Sequence, residues 1–177
     1  MAERELDFVE KGLDIDLKRS PIDRKDEEFY PQIDRDIRNE AARMAKHYEV
    51  FYSLEKSIRG LIHGTLAEKY GDDWWEEPEI VPDPIKNDAK QNMQRELDHA
   101  VAPRSNFEID YTTFGQLADI VRHRWDDFDI FNSKKGFNKV MTSLNVLRGP
   151  IAHCCPLPES ESVRLNTTVE DWFRLMS

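Results

Sequence analysis

An arginine and a histidine five positions apart, Arg148 and His153, are the residues of this sequence best suited to chemistry on a phosphodiester. A guanidinium can hold two phosphate oxygens and stabilise the charge that grows on them in a transition state. An imidazole titrates near neutral pH, so it can take a proton from a ribose 2′-hydroxyl or give one to a leaving 5′-oxygen. This chemistry needs no metal, and it is specific for RNA because DNA lacks the 2′-hydroxyl.

The two residues after Arg148, Gly149 and Pro150, bear on whether the pair can share a substrate. In an unbroken helix, residues five apart project about 140° away from each other, at roughly 100° per residue. Glycine readily takes the left-handed position at a helix end, and proline cannot continue the hydrogen-bond ladder. The sequence therefore predicts a helix break at Gly149-Pro150 that brings His153 back beside Arg148.

Taken singly, the two residues also have structural interpretations. Arg148 fits a cation near the C-terminus of a helix, where the helix macrodipole favours positive charge. His153 fits a capping or packed imidazole. Both interpretations stay open at this level.

Five helices must position this pair, because apolar residues recur at helical spacing in five stretches. We expect a long helix from Ile33 to about Tyr70-Gly71, a second that starts near Ile85 and stops at Pro103, and a third capped by Thr113 and Gln116. A fourth runs from Ser133 through Leu147, and a last one follows Pro158. Residues 71–84, with two tryptophans and three prolines, read as a loop pinned to the helices. No strand-like alternation is found, so the predicted fold is all-α, a bundle of four to five helices.

One carboxylate interrupts the apolar seam of the first helix. Glu55 stands at the one position of this seam, between Phe51 and Ile58, where an apolar residue is missing. The seam itself is formed by Ile37, Ala41, Met44, Tyr48, Phe51, Ile58, Ile62 and Thr65. In one interpretation Glu55 lies at the edge of the seam and pairs with Arg59 four residues later. In the other it is a buried acid that orients an arginine or a helix end at the functional centre.

The domain organisation and the charge of the chain limit the kinds of ligand that it can bind. Residues 1–32 mix charges with prolines and read as a partly ordered N-terminal arm, whereas residues 33–177 form one domain. The net charge of −10 argues against sequence-independent coating of nucleic acid. Bases outnumber acids between residues 122 and 153, so an anionic ligand is expected in the C-terminal half.

Other site classes are disfavoured by the same sequence. Cys154 and Cys155 are adjacent, which is poor geometry for a stabilising disulfide, and no second pair of ligands supports a metal site. We therefore expect no metal and no cofactor.

No apolar run approaches the length that crosses a bilayer, and residues 1–7 show no secretory signal, so a soluble, cytoplasmic protein is expected.

The motif around Arg148 and His153 resembles the Arg-x4–6-His signature of the HEPN superfamily of metal-independent ribonucleases and nucleotide-binding proteins. More specifically, the chain resembles the branch typified by a eukaryotic RNA endonuclease of messenger-particle quality control. Two further motifs of that branch match here, Leu-Glu-x3-Arg at residues 54–59 and Tyr-Gly-x2-Trp-Trp at residues 70–75. Residues 110–117 also match the opening of its third helix. The resemblance covers about residues 43–176.

This resemblance implies a helical bundle that forms a homodimer in which two Arg-His motifs face one another. The implied function is a metal-independent endoribonuclease, of a kind associated with toxin–antitoxin or antiphage systems and so with an antitoxin or regulatory partner. Arg148 and His153 would be catalytic, supported by Glu55, Arg59 and Gly149. Relatives usually carry a polar residue, most often Asn, where Gly149 stands, which predicts weaker catalysis. The alternatives are a non-catalytic HEPN module that binds RNA, a nucleotide or a protein, and a helical scaffold without a ligand.

Overall fold

All regular structure in the computed structural model, which describes residues 32–176, is helical. Five α-helices follow one another: α1 (Arg35–Tyr70), α2 (Asp83–Asp98), α3 (Phe114–His123), α4 (Lys134–Ala152) and α5 (Glu159–Arg174). Two short 3-10 turns, Glu108–Tyr111 and Trp125–Asp127, precede and follow α3. The predicted all-α fold is confirmed. The predicted arm lies outside the described residues, apart from its last position.

The chain divides into two compact units, residues 1–38 and residues 39–177. In the first unit the structure describes residues 32–38, which contain the beginning of α1. The hydrophobic core and the candidate site lie in the second unit, and the remaining description concerns that unit alone.

Helix α1 buries an apolar face only from Phe51 onward. Phe51, Leu54, Ile58, Ile62 and Leu66 are buried at steps of three and four, as expected for one face of a helix. Upstream of them the predicted seam is largely exposed, and Tyr48 keeps 60% of its surface accessible. The sequence pattern therefore extends further along the helix than the core does.

Helix ends follow the local signals in the sequence. The amide of Gln116 donates to Thr113 Oγ1 at 3.3 Å and the amide of Thr113 donates to Gln116 Oε1 at 2.8 Å, which completes the predicted capping box of α3. Gly71, with φ at 88°, follows the last residue of α1. Trp74 and Trp75 are buried, so the loop after α1 is pinned as predicted.

An aromatic cluster fixes the N-terminal half of α4. The ring of Phe131 lies 5.0 Å from that of Phe137 on α4 and 5.4 Å from that of Trp172 on α5, measured between centroids. Phe137 and Trp172 are buried, and such contacts stabilise beyond the burial of area alone. The cluster therefore anchors the helix that carries Arg148.

Candidate functional site

Helix α4 does not break at Gly149-Pro150. It continues from Lys134 to Ala152 with Pro150 inside it, and Gly149 is not among the residues with positive φ. Because proline has no amide hydrogen, the helical hydrogen bond from residue 150 to the carbonyl of Val146 is missing. Val146 is 69% exposed, so water can hydrate that carbonyl instead. The predicted break is therefore wrong, because the lost hydrogen bond falls on the solvent side of the helix.

The helix ends one turn later, at a residue in the left-handed conformation. His153 is the C-cap residue, and its amide donates to the carbonyl of Gly149 at 3.0 Å. The amide of Cys155 donates back to the carbonyl of Pro150 at 2.8 Å, and Cys154 between them takes a left-handed φ of 55°. A cysteine occupies the position that helices usually give to glycine.

Arg148 and His153 consequently project from different sides of α4, about 140° apart at 100° per residue. No hydrogen bond or ring contact joins them within the part of the chain that the structure describes. The side chain of Arg148 is 39% exposed, and His153 is exposed. The single chain does not bring the pair together in the way that the sequence predicted.

Arg148 is held through one nitrogen only. Its Nε donates to Glu55 Oε2 on α1 at 3.2 Å. The two terminal nitrogens of its guanidinium make no hydrogen bond with any of residues 32–176. Glu55 therefore orients the group while leaving its two-nitrogen end available for an anion.

Glu55 is in turn fixed by Arg59, which is only 8% exposed. Arg59 Nη2 donates to Glu55 Oε1 at 2.5 Å and to the backbone carbonyl of Thr112 at 2.9 Å. Arg59 Nη1 donates to Thr112 Oγ1 at 2.9 Å and to the carbonyl of Ile109. This chain of charge-assisted bonds connects the segment before α3 to α1 and, through the carboxylate, to Arg148 on α4.

Both interpretations of Glu55 describe part of this geometry. Its side chain is 19% exposed at the edge of the seam and pairs with Arg59, as the first interpretation has it. It also contacts Arg148, as the second has it. Thr112 and the carbonyl of Ile109 were not singled out in the sequence, because they lie 53 and 50 residues from Arg59 and only the fold brings them to it.

The surroundings of His153 and Gly149 are open. A Cβ added at Gly149 would meet no atom within 4 Å, apart from its neighbours in the chain and the backbone of its own helix turn. Cys154 and Cys155 beside the histidine are exposed free thiols. The surface around the imidazole can therefore admit a large ligand.

A separate polar cluster lies where α1 ends, at Asp127. Lys69 Nζ, Tyr70 Oη and Arg124 Nε donate to its carboxylate at 2.9, 2.9 and 2.7 Å. Burial raises the pKa of Asp127, but these hydrogen bonds and the nearby Arg124 charge outweigh burial and lower the pKa to about 2. The cluster ties the end of α1 to the turn after α3 and lies outside the candidate site.

Two further observations concern the range 32–176 as a whole. No group of three or more histidine, cysteine, aspartate or glutamate side chains there is arranged to hold a metal ion. No helix there is long and apolar enough to cross a membrane.

Comparison with known proteins adds one finding to this geometry. The family model described as Swt1-like HEPN matches residues 49–177, which is most of the chain. The matched region contains Glu55, Arg59, Arg148 and His153. No curated protein and no solved structure matches the chain significantly.

Proposed function

The chain belongs to the Swt1-like HEPN family, and from this membership and the site geometry we propose that it is a metal-independent endoribonuclease that acts as a homodimer. The substrate class is RNA, because the proposed nucleophile is a ribose 2′-hydroxyl. The proposed catalytic residues are Arg148 and His153, with Glu55 and Arg59 as positioning residues.

The observation that carries the proposal is how the Arg148 guanidinium is hydrogen-bonded. Glu55 holds Nε at 3.2 Å, and the terminal nitrogens have no partner among the described residues. Because those two nitrogens match the spacing of two phosphate oxygens, the group can bind a phosphodiester bidentately. It would stabilise the charge that develops on the phosphorus oxygens during transfer.

His153 supplies the proton transfers. Cleavage through the 2′-hydroxyl needs a base for that hydroxyl and an acid for the leaving 5′-oxygen, and each chain brings one imidazole to the motif. A two-fold dimer that pairs the motifs provides both, one from each subunit. We expect its interface to include the end of α4 and the segment around His153.

Two observations favour a second function, a non-catalytic HEPN module that binds RNA, a nucleotide or a protein partner. Arg148 and His153 lie on different sides of α4, and Gly149 offers no side-chain donor beside the arginine. A surface of this kind can hold an anion without cleaving it. For either function we propose a cytoplasmic protein of a toxin–antitoxin or antiphage system, with an antitoxin or regulatory protein as partner.

Incubation of a generic single-stranded RNA with the full chain in EDTA tests the proposal. Cleavage is expected in EDTA, with no cleavage of DNA of the same sequence, and it should disappear in the His153→Ala variant. Retention of cleavage by that variant would exclude the assigned role. Binding of RNA without cleavage would favour the non-catalytic module.

Sedimentation at micromolar concentration tests the dimer. A mass of about twice 20.8 kDa is expected, since two-fold homodimers are the commonest closed assembly. A strictly monomeric chain that still cleaves RNA would exclude the shared site.

A further inference from the structure

One long stretch of this acidic chain is free of acids. Residues 133–158 contain no aspartate or glutamate, although the chain carries a net charge of −10. The stretch includes all of α4, whose cations are Lys134, Lys135, Lys139 and Arg148. Every charged side chain of this helix is therefore positive, whereas acids prevail in the chain as a whole.

Two of these lysines lie in register with His153 on the exposed side of α4. At 100° per residue, Lys135, Lys139, Thr142, Val146 and His153 fall within a sector about 60° wide. All five are exposed. We call this row the lysine face; the buried side of the helix, with Phe137, Leu144 and Leu147, lies opposite to it.

Neither lysine of this face has a charged partner among residues 32–176. The ammonium groups of Lys135 and Lys139 form no salt bridge and no hydrogen bond with residues 32–176. Lys134 differs, because its ammonium lies 5.6 Å from the centroid of the Trp125 ring. The lysine face therefore offers two free cations in a row that leads to the proposed catalytic histidine.

We propose that the lysine face binds the phosphate backbone of a single-stranded RNA whose scissile phosphate lies at His153. This inference rests on the proposed function and extends it from the reacting phosphate to the path of the strand. A row one helix wide follows a single strand, whereas duplex RNA is recognised across two successive grooves. Charge complementarity identifies the occupant as a polyanion.

The helix sets the length of that path. Lys139 and Lys135 precede His153 by 14 and 18 residues, which correspond to about 21 and 27 Å of helix at 1.5 Å per residue. At about 3.4 Å per stacked nucleotide, the face spans about six to eight nucleotides on one side of the cleaved bond.

Equilibrium binding of a fluorescein-labelled 12-nucleotide single-stranded RNA with 2′-O-methyl groups tests the inference. This RNA cannot be cleaved through its 2′-oxygen, so the full wild-type chain is used. It is compared with Lys135→Gln/Lys139→Gln and with the matched control Lys46→Gln/Lys90→Gln, which changes two exposed lysines of α1 and α2 and the same net charge. Anisotropy titrations are made between 50 and 200 mM salt.

The lysine-face variant should bind more weakly than wild type, with a less steep dependence on salt. Loss of two phosphate contacts reduces the slope of log Kd against log salt by about 1.4, at about 0.7 per contact for single strands. The ratio of the Kd of this variant to the Kd of wild type should then shrink about sevenfold from 50 to 200 mM salt. The control variant should follow the wild type.

Equal Kd values and slopes for the two double variants overturn the inference. So does a change in sedimentation of the lysine-face variant with unchanged RNA binding, since the face would then be a subunit contact. A different set of results would show that the proposed function is wrong while the inference about the lysine face holds. In that case RNA binding depends on the two lysines, yet wild type leaves unmodified RNA intact in EDTA.

Discussion

Replacement of Glu55 by glutamine separates the two contacts of this carboxylate. Oε1 accepts from Arg59 and Oε2 accepts from Arg148, at 2.5 and 3.2 Å. A glutamine keeps one oxygen, which can still accept from the more buried Arg59. It loses the charge and the second acceptor, so Arg148 is released into solvent.

The two weakened contacts differ in how much they reduce the free energy of unfolding, because the two arginines differ in exposure to solvent. The contact with Arg148, whose side chain is 39% exposed, is screened by solvent and contributes about 0.5–1 kcal/mol to stability. Weakening the contact with Arg59, which keeps its Thr112 and Ile109 acceptors, costs about 1 kcal/mol. The expected total of about 1.5–2 kcal/mol lowers the melting temperature by about 3–8 °C for a domain of this size.

Catalysis should fall by a separate route. A freed arginine regains up to about 2 kcal/mol of rotamer entropy, which must be lost again in the transition state. A cost of about 1–2 kcal/mol corresponds to a rate about 5–30 times lower. Single-turnover cleavage at saturating enzyme measures the rate of the cleavage step itself, without a contribution from product release.

A control with similar loss of stability distinguishes positioning from general destabilisation. Ile62→Val removes one methylene from a fully buried residue of α1 and costs about 0.5–1.5 kcal/mol, and it should leave the cleavage rate unchanged. If Glu55→Gln melts lower but cleaves at the wild-type rate, Glu55 serves only Arg59 and the positioning role is refuted. An unchanged melting temperature would refute the structural part.

Three further predictions concern single residues. The Gly149→Asn variant should cleave RNA about one to two decades faster, because its amide adds a charge-assisted hydrogen bond at a position where an added Cβ fits without a clash; a slower variant in a single-turnover assay contradicts this. Ala100→Gly should stabilise by about 0.5–1 kcal/mol in thermal melts, since Ala100 has a φ of 53°; a lower melting temperature contradicts it. The lowered pKa of Asp127 contributes stability that is present above about pH 4 and lost as pH falls through about 2. Asp127→Asn should flatten acid unfolding between those values, and an unchanged pH profile would assign the stability to other groups.

The sequence predicted those features that depend on neighbours along the chain. The capping box at Thr113, the glycine after α1 and the buried Trp74 and Trp75 all follow from residues within one turn of each other. Helix spacing was likewise sufficient for the all-α fold, since it requires only local periodicity. These signals do not depend on which helix packs against which.

Features set by solvent and by distant contacts were not predictable in this way. Whether Pro150 breaks α4 depends on which side the missing hydrogen bond faces, and that side is defined only after the helix has packed. The buried position of Arg59 depends on acceptors 50 and 53 residues away. The pairing of Glu55 with both arginines similarly joins α1 to α4, and no periodicity in either helix encodes it.

The separation of Arg148 and His153 around α4 constrains the proposed chemistry. An RNA that follows Lys135 and Lys139 reaches His153 directly, whereas Arg148 lies about 140° away around the same helix. The guanidinium at that phosphate must then come from the second subunit, or α4 must bend where Pro150 has removed a hydrogen bond.

Mixing Arg148→Ala and His153→Ala subunits decides between these routes when the scissile 5′-oxygen of the RNA is replaced by sulfur. A thiolate leaves without a general acid, so the single imidazole of a mixed dimer suffices as the base. If each site takes its arginine from one chain and its histidine from the other, half of the dimers in an equimolar mixture contain one intact site. Activity should then recover to about a quarter of wild type in a two-fold dimer. If α4 bends within a chain, every site in the mixture lacks one of the two residues and no activity returns. Recovery would therefore assign the arginine to the partner chain, and its absence in a mixture shown by mass spectrometry to contain the mixed dimer would exclude that arrangement.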